Sequence, residues 1–326
     1  MSSFARVSTL VVAFSPASSR AVNVARVVHY GIRTVTHVVL AATRTPPASD
    51  ASSKSLHRTT RARAHRMRDS TSVRSNEQSS SPDTESWSLT VIIPALNEVQ
   101  RIERAIASAK NTTNEARIIV VDGGSSDGTP KAAKRTGVDV VRGARGRAVQ
   151  MNMGARRAAS EYLVFLHADC ALPAKYGEII ANEFTKRRGK RGTNPEWGAF
   201  AFKLSREENA ESDVGTNLRR RAVEIGTNLR CAVFGTPYGD QGLVIKRETF
   251  TALGGFDEMP FMEDYAMVKK LRARSAPVLL SAPVIASARR WDSRGFVRVT
   301  LVNQLIILGY HCGVAIEKLA DLYRKL

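Results

Sequence analysis

Three clusters of polar residues each follow a short apolar run, and their side chains could bind a nucleotide and a metal ion. The clusters are Asn97-Glu98, the segment 122–128 and His167-Ala168-Asp169. A carboxylate that an apolar strand delivers into a cleft can hold Mn²⁺ or Mg²⁺, while substrate phosphate oxygens and water complete the octahedron. Asp169 is therefore predicted as a metal ligand, and His167 as either a second ligand or a wall of the cleft.

The middle cluster, Asp122-Gly-Gly-Ser-Ser-Asp-Gly128, has the composition of a tight turn. Asp122 is suited to accept hydrogen bonds from a base or a ribose, and the glycines permit close approach of a ligand. A plain strand-to-helix turn, with Ser or Asp as the helix N-cap, explains the same residues equally well. Both interpretations stay open at this point.

The elements around these clusters alternate between strand and helix. The spacing predicts strands over 89–93, 117–121, 138–141 and 162–166, and helices over 99–109, 129–136 and 147–159. This alternation predicts an α/β fold, in which a mostly parallel central sheet has helices on both faces. Ligands of such sheets bind beyond the carboxyl ends of the strands, which is where all three clusters fall.

The second half of the chain adds an acidic pair and a basic pair. Asp264, next to Glu263, falls in the first turn of a predicted helix, where the helix dipole favours a carboxylate. Helix capping explains that pair as well. Arg289 and Arg290 could hold a diphosphate as negative charge builds on it, or form a surface pair beside a buried Trp291.

Several of these motifs carry a resemblance to a known family. Three segments, 91–98, 119–128 and 165–169, resemble the nucleotide-binding half of family-2 glycosyltransferases, which have the GT-A fold. More narrowly, the chain resembles the branch called rSAM/selenodomain-associated transferase 2 through four segments: 146–152, 239–242, 261–264 and 287–291. The resemblance spans about residues 88–326.

The resemblance implies a GT-A-type nucleotide-diphospho-sugar transferase with a divalent cation, Mn²⁺ or Mg²⁺, as cofactor. It places the following residues around the nucleotide sugar: Pro94, Asn97, Glu98, Asp122, Arg147, Gln150, His167, Ala168, Asp240 and Arg290. Asp169 would hold the metal, with His167 as a possible second ligand, and the catalytic pair would be Asp264, as the base, and Glu263. The usual D-x-D of the superfamily is His-Ala-Asp here, which leaves the first metal ligand open.

These roles imply a metal-dependent, inverting transfer of a sugar from a nucleotide-diphosphate donor to an acceptor hydroxyl that the sequence does not identify. Two alternatives remain. One is a sugar-phosphate nucleotidyltransferase, although its glycine-rich activation loop is missing after the first strand. The other is a non-catalytic module that binds a nucleotide or a sugar. A pI of 10.4 is the sole feature that favours nucleic acid, so no specific nucleic-acid partner is expected.

Charge and composition divide the chain at Trp87. The whole chain has 49 Lys+Arg and 30 Asp+Glu, a net of +19, and its 43% hydrophobic residues exclude a wholly disordered protein. Residues 1–86 are rich in Arg and Ser and poor in acids, which is typical of an organellar transit peptide. The composition predicts a disordered transit peptide over 1–69 and a Ser-rich linker over 70–86. A glycosyltransferase domain is predicted over 87–326. This domain is divided into a nucleotide-binding half (87–170) and an acceptor and catalytic half (171–326).

A plastid or a mitochondrion is the expected location, with a secretory signal or peripheral membrane attachment as the alternative. The three cysteines form no close pair, which argues against a disulfide scaffold or a cysteine zinc site. The chain has no run of about 18 uninterrupted apolar residues, so a transmembrane helix is not expected. Two predicted C-terminal helices, over 296–308 and 316–326, combine apolar and basic residues and could touch a membrane surface.

Overall fold

The computed structural model describes residues 87–112, 116–188, 194–206 and 214–325. The predicted transit peptide and the linker lie outside the described residues. The strands are β1 (Leu89–Ala95), β2 (Ala116–Asp122), β3 (Asp139–Arg142), β4 (Tyr162–Phe165), β5 (Cys170–Ala171), β6 (Trp197–Leu204), β7 (Leu243–Lys246) and β8 (Val278–Ala286).

The helices of the described residues surround these strands. They are α1 (Ile102–Lys110), α2 (Thr129–Arg135), α3 (Arg147–Arg157), α4 (Tyr176–Lys186), α5 (Val214–Phe234), α6 (Arg247–Ala252), α7 (Glu263–Arg274), α8 (Arg289–Arg294), α9 (Phe296–His311) and α10 (Ile316–Arg324). A 3₁₀ turn covers Gly239–Gln241. None of these helices combines the length and the apolar character needed to cross a membrane.

All eight strands join one sheet in the order β3-β2-β1-β4-β7-β6-β8-β5. The pairs β1–β2, β1–β4, β2–β3 and β6–β8 are parallel, whereas β4–β7, β6–β7 and β5–β8 are antiparallel. The mostly parallel sheet that the sequence predicts is therefore confirmed. The antiparallel β7 joins the nucleotide-binding half to the rest of the sheet.

The strands bury both of their faces, because β-strand side chains alternate between the two sides of a sheet. Val91 and Ile93 of β1 belong to one apolar cluster, which includes residues of α1, α2 and α4. Ile92, between them, belongs to a second cluster with residues of α3 and α7. Helices therefore cover both faces, as predicted.

The carboxyl ends of β1 and β2 meet at one edge of the sheet. Ala95 pairs with Asp122, and the Gly123 N–H donates to the Ala95 carbonyl at 2.9 Å. The buried Gln150 amide of α3 holds both strand ends, because its Nε2 donates to the carbonyls of Ala95 at 2.8 Å and Val121 at 2.6 Å. This edge positions the candidate site.

Candidate active site

Asp264 is held with both carboxylate oxygens hydrogen-bonded to backbone N–H groups. Its Oδ2 accepts from the Gly239 N–H at 2.8 Å, and its Oδ1 accepts from the Tyr265 N–H at 2.8 Å. Met262, just before α7, takes a left-handed backbone with φ 66°, which costs of order 1 kcal/mol for a residue with a side chain. That turn fixes where α7 begins and places Asp264 in its first turn.

Gly239 brings the predicted base close to the predicted metal cluster. A Cβ at this position would lie 2.8 Å from His167 Nε2 and 2.9 Å from Asp264 Oδ2. Real Cβ atoms do not approach other atoms so closely, so the site requires glycine here. His167 and Asp264, 97 residues apart in sequence, therefore lie against the same backbone segment.

The Glu263 side chain is buried and forms an ion pair. Its side chain is 2% exposed and pairs with Arg147, whose side chain is 39% exposed. Burial raises the pKa of Glu263, the Arg147 guanidinium opposes that rise, and the Asp264 carboxylate adds to it. The structure thus places Glu263 behind Asp264, where it anchors Arg147. Its predicted catalytic role stays a prediction.

The donor set around Asp169 fits a divalent cation. His167, Asp169 and Cys170 each have one ligand atom within 4.8 Å of the others. Burial, followed by the neighbouring Arg147, lowers the pKa of His167 to about 4, so its imidazole is neutral at pH 7. Burial raises the pKa of the Cys170 thiol, which stays protonated and does not suit a hard cation. Asp169, with His167 beside it, is the pair that would hold Mn²⁺ or Mg²⁺.

Arg289 contacts two of the predicted site residues, Glu98 and Asp169. It donates to both oxygens of Glu98, at 3.2 and 2.5 Å, and reaches Asp169 Oδ2 at 3.4 Å. Glu98 and Asp169 come from the ends of two neighbouring strands, so this one guanidinium bridges two predicted site residues. Arg290 instead stacks on Tyr323, with 3.6 Å from its Cζ to the ring centroid.

Two adjoining cavities contain most of the predicted site residues. The smaller, about 320 Å³, is lined by Pro94, Glu98, Arg147, Gln150, His167, Ala168 and Asp169 among others. The larger, about 480 Å³, is lined by six predicted residues: Arg147, His167, Asp169, Asp240, Asp264 and Arg290. Arg147, His167 and Asp169 line both cavities, so they stand at the boundary between the smaller cavity and the larger one, which Asp264 also lines.

Asn97 and Asp122 line neither cavity and instead build the turn beside them. Asp122 Oδ2 accepts from the N–H groups of Gly124 at 3.0 Å and Ser125 at 3.1 Å. Asn97 Oδ1 accepts from the Ser126 N–H at 3.0 Å. The turn at Asp122 is therefore present in the structure, although the N-cap of α2 is Gly128 and not the predicted Ser or Asp. The contact of Asp122 with a nucleotide stays a prediction.

Four aromatic side chains of the second cavity were not anticipated from the sequence. Phe261, Tyr265 and Tyr323 line it together with Tyr238. They come from three separate segments, so no spacing in the sequence links them. Their positions follow from packing of α7 against the C-terminal helices, where Tyr265 Oη and His311 Nε2 lie 2.6 Å apart.

Asp240 is a residue of this site whose titration should affect stability. Burial, together with the nearby carboxylates Asp264 and Asp169, raises its pKa to about 6, although Arg230 opposes the rise. The folded protein therefore binds this proton more tightly than the unfolded chain. The resulting stabilisation is complete below the ordinary pKa of 3.8 and is lost as the pH rises through 6.

We expect Asp240→Asn, in the metal-free protein with EDTA, to raise the free energy of unfolding at pH 8 by about 1–3 kcal/mol. At pH 4 the gain should vanish, because Asp240 is then protonated in the folded state. Urea denaturation at both pH values measures the difference. Equal effects at pH 4 and pH 8 would show that Asp240 does not titrate in this range.

The comparison with known families agrees with this geometry. Residues 90–189 match the family described as Glycosyl transferase family 2. Residues 90–189 are therefore similar to the family-2 glycosyltransferases. This match covers the strands β1 to β4 and the clusters at their ends, and with the sheet order it confirms the predicted GT-A fold class. It also supports the prediction of a glycosyltransferase, whereas the narrower branch stays a prediction.

Individual relatives of the family-2 domain are distant. The succinoglycan biosynthesis protein ExoA of Rhizobium meliloti (strain 1021) is 25% identical over 199 residues, and the match covers 55% of this chain and 56% of that protein. The chain thus spans little more than half the length of this curated relative.

Two solved structures resemble this chain, each with low sequence identity. One is the mannosyltransferase PcManGT from Pyrobaculum calidifontis in complex with GDP-Man and Mn²⁺, with 23% identity, coverage of 61% of this chain and 56% of that chain, and a TM-score of 0.43. The other is glucosyl-3-phosphoglycerate synthase from Mycobacterium tuberculosis in complex with Mn²⁺, UDP and phosphoglyceric acid, with 18% identity, coverage of 70% and 80%, and a TM-score of 0.45.

Proposed function

We propose that the protein transfers a sugar from a nucleotide-diphosphate sugar to an acceptor hydroxyl, with inversion at the anomeric carbon. The observation that carries this proposal is the shared boundary of the two cavities. Asp169 and His167 stand between a space lined by Pro94 and Glu98 and a space that Asp264 faces. A donor in the first space would present its anomeric carbon to an acceptor in the second.

Asp264 is the proposed general base. Its two backbone N–H partners hold the carboxylate in one orientation while it faces the cavity. From there it can take the proton of the acceptor hydroxyl as the hydroxyl oxygen attacks the anomeric carbon. A single base, without a nucleophile that forms a covalent intermediate, produces inversion.

The diphosphate would lie among the basic residues at the boundary. Arg147 and Arg289 line the smaller cavity and can neutralise charge as it builds on the leaving group. Asp169, with His167 beside it, would hold the divalent cation. When bound, that cation supplies Lewis-acid stabilisation of the departing diphosphate. Because Arg289 now contacts Asp169 and Glu98, it would have to move when a cation binds.

Product stereochemistry tests the inverting mechanism. Proton NMR of a single-turnover reaction, with the donor that gives the fastest nucleotide release, should show the opposite anomeric configuration from the donor. Retention would contradict the single displacement and remove Asp264 from the role of base.

We also propose that residues 1–69 direct the protein to a plastid or a mitochondrion and that 70–86 serve as a linker. The proposal rests on the Arg- and Ser-rich, acid-poor composition of this segment. Fusion of residues 1–86 to a fluorescent protein should carry it into one of these organelles. Secretion of the fusion would support the signal-peptide alternative instead.

A further inference from the structure

A third cavity, of about 630 Å³, forms a groove between α5 and α9. Its walls are mainly hydrocarbon, contributed by Ala222, Val223 and Gly226 of α5 and by Phe296, Val297 and Leu301 of α9. None of these residues was predicted as part of the site. An apolar groove of this size suits a hydrocarbon chain.

The groove opens into the active-site cavity through a polar neck. Tyr238, Asp240, Trp291 and Asn303 line both spaces. Among the described residues, Asp240 Oδ1 and Trp291 Nε1 are buried and have no hydrogen-bond partner. Buried polar atoms rarely stay unpaired, so a ligand group that donates to Asp240 and accepts from Trp291 fits the neck. The ligand that matches both parts has a polar head and an apolar chain.

The outer faces of the same two helices are apolar and exposed. The segment Gly-Thr-Asn-Leu-Arg occurs at 215–219 and again at 226–230. This spacing of 11 residues is about three helical turns, so Leu218 and Leu229 lie on one face of α5, with Ile225 between them. Leu229 is 57% exposed, and on α9 Leu305 is 57% exposed. Exposed apolar faces of this kind mark binding surfaces.

Charge identifies the partner of this surface. Exposed Arg219 and Arg221 on α5 and Arg298 on α9 lie beside the apolar positions. Glu224 is the one acidic residue within these two helices, and its Oε1 accepts from the Leu204 N–H at 2.9 Å. Two copies of the chain would bring like charges together, whereas an anionic phospholipid surface attracts both the arginines and the leucines.

We propose that the exposed faces of α5 and α9 rest on an anionic bilayer and that the groove between them binds the chain of a lipid acceptor. The head group of that lipid lies at the neck beside Asp240 and Trp291 and presents its hydroxyl to Asp264. This inference rests on the proposed function, which leaves the acceptor open, and names the class of acceptor as an amphipathic lipid.

Vesicle flotation tests the surface. The full chain should float with vesicles of phosphatidylcholine that contain about one third phosphatidylglycerol, and less with phosphatidylcholine alone or at high salt. The double variant Leu229→Glu/Leu305→Glu, at positions that do not line the groove, should lower the bound fraction about tenfold or more. Leu322→Glu on α10, where the side chain is 42% exposed, is the matched control and should float like the wild type.

Binding of 1-decanol tests the groove separately. A Cβ at Gly226 would meet no atom within 4 Å, so a larger side chain can enter the groove without a clash at its base. Gly226→Trp should weaken decanol binding by about tenfold or more in a thermal-shift titration, while Gly226→Ala should keep it. The short alcohol 1-butanol, at the same concentration as decanol, should stabilise neither the wild type nor the two Gly226 variants.

The outcomes separate this inference from the proposed function, because neither measurement uses a nucleotide sugar. Wild-type protein that binds neither vesicles nor decanol, yet still binds a nucleoside diphosphate with Mn²⁺, would overturn the inference alone. A dimer in light scattering that Leu229→Glu/Leu305→Glu dissociates, without vesicle binding, would assign the face to a second copy and also overturn the inference.

Discussion

Asp264→Asn is expected to lower sugar transfer by about 10²–10⁴-fold while the donor still binds. Asn keeps the size of the side chain, and its amide oxygen can still accept from the Gly239 or Tyr265 N–H groups. It cannot accept a proton from the attacking hydroxyl. The rate of sugar transfer and the donor affinity, the latter by calorimetry, are measured for the same variant. A slow variant that still binds the donor has lost the base, whereas one that no longer binds the donor has lost its fold.

Asp257→Asn is the matched control for that substitution. Asp257 lies just before the same helix, where it pairs with Lys270 at 2.5 Å and lines neither cavity of the site. The control should transfer sugar at nearly the wild-type rate. If Asp264→Asn also did so, the base would lie elsewhere, and Asp240 in the adjoining turn would be the next residue to test.

Arg147→Met is expected to give the largest loss of stability, about 2–4 kcal/mol in the free energy of unfolding. The substitution leaves the buried Glu263 carboxylate without its counter-charge. The expected loss is below that of a fully buried pair, because the Arg147 side chain is 39% exposed and water compensates in part. Urea denaturation at pH 7 measures it.

Two controls separate charge from packing in this variant. Arg135→Met removes an exposed ion pair with Glu103, whose side chains are 63% and 52% exposed, and should cost less than about 1 kcal/mol. Adding Glu263→Gln to Arg147→Met should recover part of the stability, because the uncompensated charge is then gone. Equal losses for Arg147→Met and Arg135→Met would contradict the buried pair.

The nucleotide-binding half could be predicted from the sequence because its signals are local. β1, β2 and β4 are short apolar runs that end in polar clusters, and parallel pairing brings their ends to one edge. His167 and Asp169 were placed at that edge by this reasoning alone. The predicted boundaries differ from those observed by a few residues at most strand and helix ends.

The long helix α5 was not predicted because its sequence disfavours helix locally. Gly215 and Gly226, with Thr and Asn beside them, have low helix propensity, and both leucines of the helix are exposed. β8 was missed for a related reason: it contains Pro283, which pairs with Ala201 just after an irregularity in the β6–β8 register. Tertiary packing outweighs local preference in both elements.

The contacts that complete the site join distant segments. Arg289 and Glu98 are 191 positions apart, and no periodicity in the sequence links them. The same holds for Glu263 and Arg147, whose ion pair buries the Glu263 carboxylate. Their juxtaposition depends on how α7 and α8 pack at the end of the sheet, which the local pattern does not encode.

The most direct test of the account is calorimetric titration of the full chain with UDP, GDP, ADP, CDP and dTDP, with and without Mn²⁺. A nucleotide-sugar transferase that holds its cation on Asp169 should bind at least one of these diphosphates, and more tightly with Mn²⁺. Asp169→Ala should remove the part of the affinity that depends on Mn²⁺. Failure of all five diphosphates to bind, in the presence of Mn²⁺, would contradict the proposed function.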